Sequence, residues 1–308
     1  MRYDMIVVGA GPAGMTAALY GARAGKHVLL LEALTAGGQI VDSQRIENYP
    51  ALPDVDGYSF AQSLYDQVVA QGVRVEYGTV QAIEKRTDGI AVFVGETEYF
   101  AISVILATGL KHRRLGVTGE DRFVGRGVSF CATCDGMFFR GRDVAVIGGG
   151  NTAVQDALVL SDFCSRVYLV HRRMELRAEQ GLAERLKQKN NIEFIGNTVV
   201  KEIRGEQTVS SLLLSDVATD KERELPISGI FEAIGQIPQN GAFANVVALD
   251  EEGYFLVNDA METSLEGVFA AGDACRKTVR QLTTAVGDGT VAALSAAAYV
   301  DSVCAKEN

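Results

Sequence analysis

The chain has 308 residues, of which 47% are hydrophobic and 22% are charged. This composition is ordinary for a globular protein, and the length favours two domains over a single core. A formal net charge of -10 argues against nucleic-acid binding, because phosphate contacts require clustered Lys and Arg. The sequence has neither a long apolar run nor a signal-peptide pattern, so we expect a cytoplasmic protein without a membrane span.

The chain opens with a strand–turn–helix–strand pattern. An apolar strand, Met5–Val8, leads into the turn Gly9-Ala-Gly-Pro-Ala-Gly14, and after a helical segment the strand Val28–Leu31 ends at Glu32. Glycines in such a turn allow a tight bend, close approach of a pyrophosphate, and packing of helix on strand, while the acid can accept from a ribose 2′-hydroxyl. We therefore predict a dinucleotide site at Gly9, Gly11, Pro12, Ala13, Gly14 and Glu32.

The same pattern occurs a second time, in the middle of the chain. The strand Asp143–Ile147 leads into Gly148-Gly-Gly-Asn-Thr-Ala153, a helix is predicted over Val154–Ser161, and Arg166–Val170 is the second strand. This repetition predicts a second dinucleotide site. Its turn residues are Gly148, Gly150, Asn151, Thr152 and Ala153.

The two patterns differ in charge at the end of the second strand. Where the first has Glu32, the second has His171, Arg172 and Arg173, with Arg177 following. A carboxylate suits a free hydroxyl, whereas guanidinium groups suit a phosphate dianion. We therefore predict an adenosine without a 2′-phosphate at the first site and NADP at the second. A solvated charge run is the alternative interpretation of the arginines, and their position at a strand end argues against it.

Between the two patterns lies Cys131-Ala-Thr-Cys134, followed directly by Asp135. Two cysteines at this spacing can form and break a disulfide readily. Structural burial and metal ligation are the alternatives, and the sequence lacks the second Cys or His pair that zinc usually needs. Asp135 favours redox catalysis, because a carboxyl group can shuttle the proton that a leaving thiolate requires. A redox pair between two dinucleotide sites indicates an electron path from nicotinamide to flavin to disulfide.

Two further strands are predicted to end near a ligand. The strand Ser103–Gly109 finishes in small residues, Thr108 and Gly109, as expected where a backbone passes close to a bound molecule. The strand Gly267–Asp273 finishes in Gly272-Asp273 and precedes a small-residue helix, Gln281–Tyr299. The Asp273 carboxylate is placed to accept from sugar hydroxyls, and a helix N-cap is the compatible alternative.

We predict an α/β protein with two Rossmann-like dinucleotide-binding domains, the second inserted into the first. Residues 115–127 are rich in glycine and charge and are predicted to be the linker into the second domain, and Gly235–Asn240 is predicted to be the return linker. The predicted domains are an FAD-binding domain of residues 1–114 and 239–308 and an NADPH-binding domain of residues 115–238 that carries the cysteine pair.

A set of motifs, in order, resembles the low-molecular-weight, bacterial-type thioredoxin reductase family: ENYP, ATG, CATCDG, GGGNTA, HRRMELR, GVFAAGD and RQLTTAVGDG. The resemblance extends from Ile6 to about Tyr299. It implies FAD at the N-terminal turn, with Glu32 on its adenosine ribose and Asp273 in the ribityl–phosphate region. The residues that it implies near the flavin ring are Gly38, Gln39, Asn48, Arg280 and Gln281.

The resemblance also implies the chemistry of the cysteine pair. It implies NADPH as electron donor, oxidised thioredoxin as partner, and a homodimer. It implies an acid–base role for Asp135, with Cys134 against the flavin and Cys131 attacking the partner's disulfide. The residues alone leave open which cysteine has which role.

Both the cysteine pair and the second turn belong to the predicted inserted domain, whereas a flavin at the first turn belongs to the other. A flavin ring offers limited contact area, so we predict that the inserted domain rotates between two positions, with hinges at Leu115–Gly119 and Gly235–Asn240. The resemblance implies the same rotation. A static path would be expected if the cysteines lay in the first domain.

Rival functions remain open at this point. Among enzymes they are a reductase of a peroxidase-type partner, a ferredoxin-driven reductase and a dithiol oxidase, and outside enzymes a flavin-binding redox sensor. The intact GGGNTA turn and its arginines argue against the ferredoxin-driven enzyme and the oxidase. The intact CATCD motif argues against the sensor.

Overall fold

A computed structural model of the chain describes residues 2–43, 46–52 and 54–307. The chain divides into two compact units. Unit 1 contains the chain up to Val41, Tyr49–Lys111, and the chain from Ile237 onward, and unit 2 contains Asp42–Asn48 and His112–Gln236. The chain thus crosses between the units at 41/42, 48/49, 111/112 and 236/237, where the sequence predicted crossings at 114/115 and 238/239 alone.

In the described residues, the strands are β1 (Arg2–Val8), β2 (Val28–Glu32), β3 (Arg74–Tyr77), β4 (Val80–Arg86), β5 (Gly89–Val94), β6 (Thr97–Leu106), β7 (Leu110–His112), β8 (Val128–Ser129), β9 (Asp143–Ile147), β10 (Arg166–Val170), β11 (Ile192–Ile195), β12 (Thr198–Gly205), β13 (Val209–Asp216), β14 (Glu222–Pro226), β15 (Gly229–Glu232), β16 (Gln236–Pro238) and β17 (Val268–Ala270). The α-helices are α1 (Pro12–Arg23), α2 (Gly57–Ala70), α3 (Glu120–Phe123), α4 (Ala132–Asp135), α5 (Asn151–Ser161), α6 (Gln180–Lys187) and α7 (Leu282–Glu307).

Unit 1 is built on a seven-stranded sheet in the order β3-β2-β1-β6-β5-β4, with β17 beside β6. Strands β1, β2, β3, β6 and β17 are parallel, and β4 and β5 extend the sheet as an antiparallel meander. Successive residues of β1 face opposite sides. Met5 packs in one core with the alanines of α1 and α7, and Ile6 packs in the other core with Phe243 and Phe255.

Unit 2 repeats the arrangement around a parallel five-stranded sheet in the order β11-β10-β9-β15-β8. Val144 and Val146 of β9 pack in the core that contains α5, whereas Ala145 and Ile147 pack in the core that contains the antiparallel sheet β12-β13-β14. Because both faces of the central strands are buried, these strands are apolar without alternation.

Each unit therefore has a parallel sheet whose first strand is followed by a glycine turn and a helix. The strand orders β3-β2-β1-β6 and β11-β10-β9-β15 are the same arrangement of successive strands about the glycine turn. The fifth parallel strand differs, because β17 follows β6 in the chain whereas β8 precedes β9. The predicted fold class, two Rossmann-like units with the second inserted into the first, is confirmed.

The predicted strands Asp143–Ile147 and Arg166–Val170 match β9 and β10 at both ends. The helix predicted from Val154 instead begins at Asn151, because the glycine turn leads directly into its first turn. The predicted C-terminal helix Gln281–Tyr299 extends to Glu307 as α7.

The linker predicted over residues 115–127 is wrong, because this stretch is folded within unit 2. The Glu120 carboxylate accepts from the N–H groups of Leu115 (3.2 Å), Gly116 (2.6 Å) and Val117 (3.3 Å). Leu115 and Val117 pack against the core of unit 2. The glycines and charges of the stretch thus form a turn around a buried carboxylate. The two connecting strands, β7 and β16, pair with each other instead.

Candidate active site

The first glycine turn is shaped by two close backbone approaches. Gly9 has φ +101°, and a Cβ there would lie 2.3 Å from the Ala107 carbonyl oxygen. A Cβ at Gly14 would lie 1.8 Å from the Gly9 carbonyl oxygen. A Cβ at Gly11, in contrast, would meet no described atom within 4 Å. The outer glycines therefore serve the fold, and Gly11 leaves space on the open side of the turn.

The start of α1 presents N–H groups at this open side. Gly11 is its N-cap residue and offers no side-chain cap, and Pro12 occupies the first turn, where its missing N–H costs nothing. Unpaired N–H groups at a helix N-terminus favour an anion, and phosphate is the usual one. This geometry suits the pyrophosphate of a dinucleotide.

Glu32 lies at the end of β2, beside the turn. Its carboxylate accepts from the N–H of Ala10 at 2.7 Å and from the N–H of Leu34 at 2.8 Å. These bonds fix the carboxylate, and each of its oxygens keeps a lone pair that a sugar hydroxyl could use. The ribose contact of Glu32 stays a prediction, and the geometry is compatible with it.

Other predicted residues of unit 1 converge on the same turn. A Cβ at Gly38 would lie 3.2 Å from the Gly11 Cα, and a Cβ at Gly272 would lie 2.7 Å from the Ala13 Cβ. The Gln39 side chain donates from Nε2 to the carbonyl of Leu110. Segments far apart in sequence thus meet around Gly11.

Asn240 joins two of these segments and was not predicted as a site residue. It is 1% exposed, and its Oδ1 accepts from the Thr108 hydroxyl at 2.6 Å. Its Nδ2 donates to the carbonyls of Gly253 at 2.9 Å and Ala274 at 3.1 Å. It therefore holds the loop of Thr108 and Gly109 in register with the loop that carries Asp273. Only tertiary structure reveals this role, because the partners lie in separate segments.

Asp273 carries a buried Oδ1 that has no hydrogen-bond partner among the described residues. Burial raises the pKa of this carboxyl, and the charges of Lys277 and Arg280 oppose the increase. Arg280 lies over the Tyr254 ring at 4.4 Å and directs its Nε toward the Asp273 carbonyl at 3.4 Å. Gln281 precedes α7, and its N–H donates to Thr284 Oγ1 at 3.1 Å.

Asn48 is the one predicted flavin residue outside unit 1. It lies in Asp42–Asn48, which belongs to unit 2. Its predicted place near the flavin ring therefore stays a prediction, because the structure of unit 1 does not include Asn48.

The second glycine turn repeats the first in unit 2. Gly148 has φ +152°, and a Cβ there would lie 2.4 Å from the Ala233 carbonyl oxygen. A Cβ at Gly150 would meet no described atom within 4 Å, and Gly150 caps α5 without a side-chain bond. Ala153, at the position that corresponds to Gly14, is fully buried. Open space and free N–H groups therefore occur at the same place in both turns.

The His171 side chain packs against Gly149 in the second turn. It is 5% exposed, and its ring atoms lie 2.4–2.5 Å from where a Gly149 Cβ would be. Burial lowers the pKa of His171, and the nearby charges of Arg177, Arg172 and Arg173 lower it further. Both effects favour the neutral ring, and its buried Nε2 has no hydrogen-bond partner among the described residues.

The predicted arginines stand in solvent around this turn. Arg172, Arg173 and Arg177 are exposed, and the N–H of Arg177 donates to the Gly149 carbonyl at 2.6 Å. Asn151 lies beside Thr152 at the exposed start of α5, and it is hydrogen-bonded to Glu179 in the segment that contains Arg177. Its Oδ1 accepts from the Glu179 N–H at 2.8 Å, and its Nδ2 donates to the Glu179 carboxylate at 3.0 Å.

Cys131 and Cys134 form a disulfide at the two ends of a single helical turn, α4, with their Cα atoms 5.3 Å apart. The Cys134 N–H donates to Cys131 Sγ at 3.2 Å, and Cys131 Sγ lies 3.4 Å from Thr133 Oγ1. Both cysteines are partly exposed. A disulfide within one turn and reachable from solvent suits exchange with another protein.

Asp135 follows the disulfide and is largely buried. Its Oδ2 accepts from the Ser129 hydroxyl at 2.6 Å, and its Oδ1 is buried without a partner among the described residues. Burial raises the pKa of Asp135, and the Ser129 hydrogen bond opposes that increase. A carboxyl with a raised pKa keeps its proton to higher pH than an ordinary aspartate and can serve as a proton donor. Ser129 was not predicted as a site residue.

The remaining cysteines have different surroundings. Cys164 and Cys275 are buried thiols, and burial raises their pKa values to about 11 and about 12. They are therefore protonated at neutral pH and unreactive. Among the described residues, no group of His, Cys, Asp or Glu has the arrangement of a metal site. No helix in that part of the chain is long and apolar enough to cross a membrane.

The residues present fit both predicted cofactors. In unit 1, the open space at Gly11, the uncapped start of α1 and the unpaired Oδ1 of Asp273 suit the phosphates and sugar hydroxyls of FAD. In unit 2, the open space at Gly150 and the exposed arginines suit a dinucleotide with a 2′-phosphate.

Comparison with known proteins agrees with this geometry. The family model described as "Pyridine nucleotide-disulphide oxidoreductase" matches residues 3–289. The thioredoxin reductase of Treponema pallidum is 45% identical over 303 residues, covering 98% of each chain. The crystal structure of thioredoxin reductase from Streptococcus pyogenes has a TM-score of 0.94 and 42% identity, covering 98% of this chain and 99% of that one.

A third relative is the Lactococcus lactis thioredoxin reductase, whose crystal structure is described as the FR conformation. It is 39% identical, covers 97% of this chain and 99% of its own, and has a TM-score of 0.68. The fold, the paired turns and the disulfide define a pyridine nucleotide-disulphide oxidoreductase. More narrowly, the chain belongs to the thioredoxin reductase family. FAD and NADPH are the cofactors of this family.

Proposed function

We propose that the chain reduces oxidised thioredoxin, with electrons that come from NADPH and leave through the Cys131–Cys134 disulfide. The observation that carries the proposal is the partly exposed disulfide, adjacent to the buried carboxyl of Asp135, in the unit that also bears the arginine-flanked turn. The names of the relatives support thioredoxin as the partner.

We propose unit 1 as the FAD-binding domain and unit 2 as the NADPH-binding domain. When bound, NADPH would supply a hydride, and FAD would carry its two electrons to a disulfide. The residues proposed to hold FAD are Gly9, Gly11, Pro12, Ala13, Gly14, Glu32, Gly38, Gln39, Asn48, Thr108, Gly109, Gly272, Asp273, Arg280 and Gln281. Those proposed to hold NADPH are Gly148, Gly150, Asn151, Thr152, Ala153, His171, Arg172, Arg173 and Arg177.

The two cysteines and Asp135 carry the sulfur and proton chemistry. When the disulfide accepts two electrons, the S–S bond breaks, and Asp135 gives a proton to one of the two sulfur anions. Cys131 then attacks the disulfide of thioredoxin, and Cys134 resolves the mixed disulfide. Asp135 regains the proton that the enzyme dithiol loses. The two electrons and one proton of the NADPH hydride, together with one proton from solvent, account for the two thiols of reduced thioredoxin.

The proposal includes rotation of unit 2. The disulfide and the second turn share unit 2, whereas the residues proposed for FAD lie mainly in unit 1, and one flavin ring has to serve both. We place the pivots at two of the crossings between the units, Lys111–His112 and Gln236–Ile237, which flank the long segment of unit 2. The description of a relative's structure as the FR conformation supports a family with more than one arrangement.

We also propose a homodimer that works in the cytoplasm. Helix α7 presents Val291 and Leu294 as exposed apolar side chains, which suits a subunit contact. An odd number of cysteines with one reversible pair suits a reducing compartment. Light scattering of the purified protein tests the dimer directly.

The experiment that tests the function uses Cys134→Ser and Cys131→Ser. We expect NADPH to reduce the flavin in both variants, because the cofactor residues are unchanged. We expect thioredoxin reduction to fall to background in both, because one sulfur alone cannot form the disulfide. Flavin absorbance reports the first step, and thioredoxin thiols report the second.

Cys304→Ser is the matched control, because Cys304 lies on α7 outside the proposed site, and it should retain full turnover. Thioredoxin turnover that persists in Cys134→Ser would contradict the proposal. Wild-type protein that reduces a peroxidase disulfide but no thioredoxin would favour the rival partner instead.

A further inference from the structure

Ser129 lies two residues before the disulfide, at the end of the short strand β8. It is 5% exposed, and its hydroxyl lies between two groups of the active site. The hydroxyl donates to Asp135 Oδ2 at 2.6 Å and accepts from the Cys131 N–H at 3.1 Å. The Cys131 carbonyl is 3.5 Å away, too far to compete for the single hydroxyl proton. One side chain therefore orders both the carboxyl and the first cysteine.

This arrangement distinguishes the two oxygens of Asp135. Oδ2 is engaged by Ser129, whereas Oδ1 is buried and has no partner among the described residues. A proton on Oδ2 would require Ser129 Oγ to accept the bond and to turn its own proton toward the Cys131 carbonyl, which is 3.5 Å away. A proton on Oδ1 leaves the 2.6 Å bond from Ser129 to Oδ2 as it is. Oδ1 is therefore the oxygen that carries the proton.

We propose that Ser129 is a positioning residue for proton transfer at the disulfide: it fixes Asp135 Oδ2 so that Oδ1 exchanges the proton with the cysteine sulfurs. This proposal rests on the proposed function, in which Asp135 is the acid and base of the cycle. When the S–S bond breaks with two electrons from the NADPH-reduced flavin, the proton leaves Oδ1 for a sulfur anion. When the dithiol reduces a protein disulfide, the proton returns to Oδ1.

The hydrogen bond from Ser129 also affects the acidity of Asp135. Burial raises the pKa of Asp135, and the donated hydrogen bond from Ser129 lowers it by stabilising the carboxylate. These are the causes that act on this carboxyl, and no charged side chain is among them. Loss of the hydroxyl should therefore raise the pKa of Asp135 further.

The test uses Ser129→Ala, Ser129→Thr and Asp135→Asn in the full-length holoenzyme. Each variant is first reduced with NADPH, and the rate of oxidised thioredoxin reduction is then followed against pH. Asp135 has to be a carboxylate to accept the proton in this half-reaction, so the rate rises with pH through its pKa. We expect this rise to move to higher pH in Ser129→Ala, with a rate about tenfold lower at pH 7.

Ser129→Thr keeps the hydroxyl and should keep the wild-type pH profile. Ser129→Ala combined with Asp135→Asn should be no slower than Asp135→Asn alone, because both changes remove the same proton path. Flavin content and flavin reduction by NADPH should be normal in all variants, which shows that they fold.

A Ser129→Ala profile that coincides with the wild-type profile overturns the role of Ser129 and leaves the proposed function standing. Independent, additive losses in the double variant also overturn it. An Asp135→Asn variant with the wild-type rate and profile overturns the acid–base role of Asp135, and the Ser129 proposal with it. Failure of the wild-type enzyme to reduce thioredoxin overturns the proposed function itself.

Discussion

At the scale of single residues, charge at the end of the second strand distinguishes the two proposed dinucleotide sites. Glu32 is held by two N–H groups and adds negative charge, which would repel a 2′-phosphate. Arg172 and Arg173 are exposed at the equivalent place in unit 2, so their guanidinium groups are free to close on a phosphate. The buried, neutral His171 sets the shape of the turn between them.

The double variant Arg172→Ala/Arg173→Ala should lose preference for NADPH. A hydrogen bond to a charged group contributes about 1.5–3 kcal/mol, and solvent exposure places these arginines at the lower end. We therefore expect KM for NADPH to rise about tenfold or more, and KM for NADH to change little. Steady-state kinetics with both donors measure the ratio.

Lys187→Ala is the matched control, because Lys187 is an exposed cation at the end of α6 in the same unit. Its donor preference should equal that of the wild-type enzyme. If the arginine variant loses NADPH and NADH binding in equal proportion, the arginines serve the general fold of the turn and not the 2′-phosphate.

At the scale of elements, each glycine turn contains glycines that the fold requires and one glycine that leaves space for a ligand. At Gly9, Gly14 and Gly148, an added Cβ would overlap a neighbouring backbone oxygen. Gly11 and Gly150 have open space and extended backbone conformations that alanine also adopts. Both turns place an uncapped helix N-terminus beside this open space, which is the arrangement that favours a phosphate.

Gly11→Ala and Gly150→Ala should separate the two cofactors. Neither change meets a protein atom within 4 Å, so the thermal stability of the cofactor-free chain should be unchanged. The added methyl occupies the space for phosphate. We expect FAD affinity to fall about tenfold or more in Gly11→Ala, and NADPH affinity to fall by a similar factor in Gly150→Ala with FAD retained. Fluorescence titration of each cofactor checks both.

Gly14→Ala provides the contrast, because its Cβ would lie 1.8 Å from a backbone oxygen. It should destabilise the fold by about 3 kcal/mol or more. Equal FAD loss in Gly150→Ala and Gly11→Ala would contradict the assignment of one cofactor to each unit.

A second element-scale feature is a pair of buried carboxyl groups, Glu120 and Glu232, each 3% exposed. Glu120 accepts the three N–H bonds of the turn before α3 and is paired with Arg114 Nε at 2.7 Å. Glu232 ends β15, and its oxygens have no partner in the described chain when ionised. A proton on Glu232 allows it to donate to Glu120.

Burial raises the pKa of Glu232 from 4.5 to about 8, the negative charge of Glu120 adds to the increase, and Arg114 opposes it. The folded chain therefore holds a proton that the unfolded chain releases between pH 4.5 and 8, and stability falls as pH rises through this window. Glu232→Gln should remove this loss, on the order of a few kcal/mol at pH 8. Thermal unfolding at several pH values measures the difference from wild type.

Glu222→Gln, on an exposed position of β14, is the control and should follow the wild-type curve. If the stability of the wild type changes with pH from 4.5 to 8 in the same way as that of Glu232→Gln, then Glu232 is ionised without cost in the folded chain.

The sequence predicted features that depend on local pattern. Strands β9 and β10 were predicted to the residue, because an apolar run bounded by glycine or charge has few other interpretations. The roles of Ser129, Asn240 and Glu179 were not predicted, because each depends on a partner in another segment. The sequence predicted a linker over residues 115–127, because the pattern of glycines and charges does not indicate a turn centred on Glu120.

At the scale of the whole molecule, the chain forms two units that share the order of four strands about the glycine turn. Unit 1 gathers distant segments around Gly11, and unit 2 combines a second turn with the disulfide. In the proposed assignment of FAD to unit 1 and NADPH to unit 2, electrons would leave unit 2 for the flavin and return to unit 2. The segments that cross between the units are short, with β7 and β16 paired, which suits rotation of one unit as a body.

The most direct test of this account is the appearance of thiols in the holoenzyme on addition of NADPH without oxygen. After alkylation, mass spectrometry should find new label on Cys131 and Cys134 together, while the buried Cys164 and Cys275 keep the labelling that they have without NADPH. Flavin that bleaches with NADPH while Cys131 and Cys134 stay joined would contradict the account.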